Sequence, residues 1–132
     1  MRLGGQHGSD MTRLIMTLLV RDNADIVAAN MDFHLAMGVD HIIVTNNRSE
    51  DATRNIVLDY VRRGAATLID EYNDDYDQST WVTRMARMAA RDLSADWVIN
   101  SDVDEFWWPW MVTSRRYFLR YRSISASCQR LG

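Results

Sequence analysis

Lysine is absent from this chain: all fifteen basic residues are arginines, a bias that points to the base composition of the coding sequence rather than to a task. The single cysteine, Cys128, has no partner for an internal disulfide and cannot supply a multi-cysteine zinc site. No run approaches the roughly 20 consecutive apolar residues of a transmembrane helix. The opening MRLGGQHGSD carries no apolar signal-peptide core. A reducing, cytoplasmic setting is therefore expected. Other devices are missing as well. Gly4-Gly5-x-x-Gly8 precedes the first strand, where it makes neither a P-loop nor a dinucleotide fingerprint, and no Gly-x-Ser-x-Gly elbow occurs. The net charge of −3 disfavours nucleic acid as a partner.

What is present suits one globular domain. The chain has 132 residues, of which 47% are hydrophobic, enough for a modest core. Charge is unevenly spread: residues 1–110 hold ten arginines and all eighteen acids, whereas residues 111–132 hold five arginines and no acid. That break divides the chain into a domain over residues 11–110 and an atypical Arg/Ser-rich tail over residues 111–132.

Within the domain, TRLIMTLLV (Thr12–Val20) reads as a strand buried on both faces. Ile26, Ala29, Asn30, Phe33, His34 and Met37 then recur at helical spacing, with Gly38 placed to close the helix. On this reading His34 is a packed histidine. DHIIVT (Asp40–Thr45) is a second strand. Ser49 is placed to cap a second helix with the face Ile56, Val57, Tyr60, Val61, and Gly64 closes it. Ala66–Ile69 gives a third strand and residues 70–77 a solvated acidic loop. A third helix carries Trp81, Met85, Met88, Ala89 and Leu93, and DWVIN (Asp96–Asn100) is a fourth strand. Strands alternating with helices imply right-handed crossovers and a mainly parallel α/β sheet, Rossmann-like in class. Ligands of such sheets bind beyond the carboxyl ends of the strands. Here those ends are Arg21-Asp22-Asn23, Asn46-Asn47, Asp70-Glu71 and Asp102-Val103-Asp104.

Asp102-x-Asp104 is the sharpest motif. On an extended segment, side chains two apart point the same way, so both carboxylates can face one point above the sheet. Two convergent carboxylates repel unless a cation sits between them. Mn²⁺ or Mg²⁺ suits carboxylate, water and phosphate oxygens. By itself the pair reads better as a solvated turn, and the buried strand before it in a parallel α/β context reverses that reading. Arg21 can reach a diphosphate or a rim acid, and Asn23 and Asn47 can bond a base or ribose. Asp51 fits either a nucleotide contact or a first-turn acid, and Arg84 either a phosphate contact or a surface position. The run Phe106-Trp107-Trp108-Pro109-Trp110 can stack on a sugar or close the core.

The segments LLVRDNADIV, FHLAMGVDHIIVTNNRSEDAT and QSTWVTRMARMAARDLSADWVINSDVDEFWWP, in that order, resemble the glycosyltransferase family 2-like group over residues 13–109. The resemblance implies the GT-A fold and transfer of a sugar from a nucleoside-diphosphate sugar to an acceptor hydroxyl, with inversion and metal assistance. It implies Asp102 on the ribose or metal side and Asp104 as direct metal ligand, with Arg21, Asn23, Asn47, Asp51 and Arg84 around the nucleotide. Relatives place an acidic pair where this chain has Asn46-Asn47. They place the general base downstream of the Asp-x-Asp strand, where this chain offers no acid, so the base is left unassigned. A full GT-A domain is roughly twice as long, and the expectation is the donor half of a site, with weak nucleotide binding and little or no transfer. The acceptor, whether glycan, lipid or protein, is left open. Two other readings compete. One is a non-catalytic nucleotide-binding α/β remnant. The other is a metal-dependent phosphohydrolase, whose Asp-x-Asp would follow the first strand rather than the fourth.

Overall fold

A computed structural model of the chain describes residues 13–73, 77–106 and 128–130. Its elements are β1 (Leu14–Val20), α1 (Val27–Ala36), β2 (His41–Asn47), α2 (Thr53–Arg62), β3 (Ala66–Glu71), α3 (Gln78–Asp92), β4 (Trp97–Asp102) and β5 (Cys128–Arg130). They form one sheet in the order β3-β2-β1-β4-β5. The first four strands are parallel, as the alternation of strands and helices predicts, and β5 runs antiparallel to β4. Phe106 is described, but the aromatic residues 107–110 and most of the tail lie outside the described residues.

β1 is central because it is apolar on both faces. Leu14, Met16, Leu18 and Val20 join the core beneath α1 and α2, together with Val27, Met31, Val57 and Tyr60. Ile15 packs on the opposite side with Ile43, Val98, Met85 and Ala89 under α3. Each fully buried side chain of this size contributes roughly 1.5–3 kcal/mol by leaving water. Trp81, also fully buried, belongs to α3's inner face.

The chain winds outward from β1 through β2 to β3, and then α3 carries it back across the other face to β4 on the far side of β1. The order therefore reverses between β1 and β4, the topological switch point beyond whose carboxyl ends such sheets bind ligands. At the opposite ends, two aspartates that precede strands fasten them to β1. The Asp40 carboxylate accepts from Leu14 N at 2.7 Å, and that of Asp96 accepts from Arg13 N at 2.8 Å.

Several expectations shift. β2 continues through Asn47 and β3 through Glu71, because Asn46 pairs with Asp70 and Asn47 with Glu71; the acidic segment thus begins as strand. Ser49 does not cap α2, whose N-cap is Ala52 without a side-chain bond; its Oγ accepts from Asp22 N instead. The buried stripe of α1 is Val27, Asn30, Met31 and His34, with Ala29 exposed. Two of its four members are polar because the segment after β4 crosses that helix. Gly38 and Gly64 take positive φ after their helices, as their positions predict. Among the described residues no helix is long and apolar enough to cross a membrane.

Candidate functional site

Every rim segment named from the sequence lies at the carboxyl edge of the parallel strands. The β1–α1 and β2–α2 loops are laced together there. The Asp22 carboxylate accepts from Glu50 N at 2.7 Å, Asn23 N donates to Thr53 Oγ1 at 2.8 Å, and Ala24 N donates to the Asp51 carboxylate at 3.1 Å. Asp51 also accepts from Thr53 N at 2.8 Å and from the Thr53 hydroxyl. These bonds hold its carboxyl below the usual range, the Thr53 hydroxyl contributing most. Asn23 Oδ1 accepts from Arg21 N at 2.8 Å, while its carbonyl receives Ile26 N and Val27 N at the start of α1. Asp22 and Arg48, each just past a strand end, adopt positive φ, so both loops turn sharply away from the sheet.

Further along the rim, Asn47 is buried. Its amide donates to the carbonyls of Glu71 and Asn73 at 3.3 and 3.5 Å, and its Oδ1 accepts from the Arg21 guanidinium at 3.4 Å. Asn46 donates to Asp70 at 3.1 Å, and among the described residues its buried Oδ1 has no hydrogen-bond partner. Arg54 grips Asp70 through two nitrogens at 2.8–3.0 Å, and Arg84 meets Glu71 at 2.6 Å. Each arginine holds its carboxyl below the ordinary range, chiefly by hydrogen bonding.

Asp102 and Asp104 differ from these acids. Both are exposed, and among the described residues neither has a cationic partner. Asp102 ends β4, at the β1–β4 switch point. The extended segment stops there: Val103 and Asp104 form a turn closed by Glu105 N donating to the Asp102 carbonyl at 3.0 Å, while Asp102 N donates to the Glu105 carboxylate at 3.0 Å. The two carboxylates thus sit at a strand end and in the turn that follows, rather than side by side on one strand. Their place after the fourth strand also departs from the phosphohydrolase pattern.

Among the described residues no three His, Cys, Asp or Glu side chains gather as an all-protein metal cage. Two rim carboxylates instead fit an ion that completes its shell with water and ligand phosphate oxygens, the habit of Mg²⁺-type sites. The sequence missed Asn30 of α1, which was read only as one position of a helix face. Its amide donates at 2.8 Å to both the Val103 and Glu105 carbonyls.

The S. aureus TarS structure solved with UDP-GlcNAc is similar to this chain with a TM-score of 0.63 and 12% identity, covering 83% of this chain and 31% of that one. Glucosyl-3-phosphoglycerate synthase from Mycobacterium tuberculosis, solved with Mn²⁺, UDP and glucosyl-3-phosphoglycerate, gives 0.52 and 18%, covering 76% and 37%. At these identities the likeness is one of fold, and the chain spans about a third of either structure's length. No curated protein sequence matches. The family 2-like resemblance holds at the level of fold and is not exact as to family. The model of glycosyltransferase family 92 matches residues 15–128, beyond the segment that carried the resemblance and past β4 to the start of β5; the chain belongs to glycosyltransferase family 92.

Proposed function

We propose that this rim is the donor site of a glycosyltransferase, taking a nucleoside-diphosphate sugar whose diphosphate shares a Mn²⁺ or Mg²⁺ ion with Asp104 and Asp102. The observation that carries this reading is the contrast in charge pairing: Asp70 and Glu71 are matched by arginines, while Asp102 and Asp104 stand exposed at the topological switch point with no cationic partner among the described residues. Unmatched neighbouring carboxylates favour a divalent cation. When bound, that ion would supply Lewis-acid stabilisation of charge on the departing diphosphate.

The chain's own groups do the rest. Arg21 and Asn23 line the β1 end, where a guanidinium and an amide can bond the base and ribose, and the buried Asn47 at the β2 end acts through its hydrogen bond to Arg21. Arg84 lies against Glu71 on the same side of the rim, within the reach of a phosphate contact. Asp51 braces the two loops and acts on the nucleotide through their shape. The proposed reaction transfers the sugar with inversion to an acceptor hydroxyl.

Titration calorimetry of the full chain with UDP and with GDP, each with and without Mn²⁺, tests the reading. Mn²⁺-dependent binding of at least one nucleotide is expected. Asp104→Ala should weaken it by about a hundredfold or more, as loss of a direct charge-assisted ligand does, without lowering the melting temperature. Equal binding by wild type and Asp104→Ala would remove the metal role from this pair. Nucleotide binding without sugar transfer would mark the non-catalytic reading.

A further inference from the structure

We propose that Asn30 is a positioning residue for the turn that bears Asp104, a tether from the core of α1 to the metal-holding end of β4. This inference rests on the donor-site reading, but its geometry stands independently. Asn30 has no exposed surface, and both N–H bonds of its amide are used on the same short segment, at 2.8 Å to the Val103 carbonyl and 2.8 Å to the Glu105 carbonyl. Those carbonyls flank Asp104 on either side. A turn fixed at both flanks by one buried side chain has little freedom to move its central carboxylate.

The orientation of the amide is itself fixed. With its nitrogen spent on two carbonyls, Oδ1 faces His34 Nδ1 at 3.3 Å, and the same nitrogen lies 2.9 Å from the Asn30 carbonyl. Both neighbours of Nδ1 are acceptors, so Nδ1 carries the hydrogen and donates. A flipped amide would turn its oxygen toward two carbonyl oxygens. His34 thereby selects the arrangement that grips the turn. Phe106, the next residue along, stacks over the His34 ring at 6.1 Å and meets Phe33 edge-on at 5.3 Å, which seats the chain just after the turn. The polar members of α1's buried stripe thus have one shared purpose.

Two readouts on the full chain test this. In amide hydrogen exchange, Asn30→Ala should speed exchange across residues 102–106 by about tenfold, the scale of one or two lost buried hydrogen bonds. Val57→Ala, a cavity variant in α2, should leave that segment unchanged. In calorimetry, Asn30→Ala should weaken Mn²⁺-dependent UDP binding by about tenfold while metal-free binding stays as in wild type. Asn30→Leu, which keeps a similar volume and loses the donors without burying a charge, carries the same comparison should the alanine variant fail to fold. Unchanged exchange at 102–106 overturns the tether. Faster exchange with unchanged Mn²⁺-dependent affinity overturns its positioning role. A wild-type chain that shows no Mn²⁺-dependent binding fails the donor-site reading and the metal-positioning role with it, and the exchange data then decide the tether alone.

Discussion

At the scale of single residues, charge pairing separates structural acids from available ones. Glu71 is held ionised chiefly by its 2.6 Å hydrogen bond from Arg84, with Asn73 N adding a second at 3.1 Å. Arg84→Met should therefore raise the Glu71 titration midpoint toward the ordinary carboxylate value, visible in its side-chain carboxyl chemical shift by NMR. An unmoved midpoint would mean that the pair has no hold on the carboxylate in solution. The rim's membership was legible in the sequence because strand ends in a parallel sheet share one edge. The partners within it were not. Nothing in the order Asp51-Ala52-Thr53 announces that the carboxylate will bridge Thr53 and Ala24, since Ala24 arrives from a different loop. Asn30 was hidden for the same reason: its partners lie 73 and 75 residues away.

At the scale of elements, periodicity did most of the work. Helix faces on α2 and α3 match their apolar spacing, and the strands match their β-branched runs, because both patterns report local geometry. Boundaries moved where pairing overrode composition, as when Asp70 and Glu71 extended β3 against the two buried asparagines. The close of α2 offers a clean test. Gly64 has φ of +79°, and a Cβ built there meets nothing within 4 Å. Gly64→Ala should therefore cost only backbone strain, about 1–2 kcal/mol, and lower the melting temperature by a few degrees in calorimetric scans. A cost of several kcal/mol would reveal a steric role that the open space around Gly64 does not predict.

At the scale of the whole molecule, stability should respond to pH in two stages. His34 and His41 have pKa values below 6.5, in both cases chiefly because burial disfavours the cation. The unfolded chain then binds protons more readily than the folded one below about pH 6.5, so stability should fall as pH drops through that range and level off below the folded-state values. His41→Gln should flatten part of this slope in denaturant melts taken at intervals between pH 7 and 5. The carboxylates act in the same direction at lower pH. Asp51, Asp70, Glu71 and Asp77 titrate below their ordinary values, so their contribution is full above about pH 4.5 and is lost as pH falls through the folded-state values. A profile flat from pH 7 to 5 would show that the histidines are not held neutral.

The central place of β1 has one more consequence, and it concerns time. Leu14 of β1 is paired with Trp97 of β4, so during synthesis β1 lacks one neighbour until about eighty further residues have followed. LIMTLLV waits with one edge open and one face uncovered until α3 and β4 arrive. Pairings between such distant segments form late, because a long loop must close before any contact rewards it. Synthesis of this chain therefore passes through an interval in which its most apolar strand is exposed to whatever else is nearby, and the same reversal of strand order that makes the switch point sets the length of that interval.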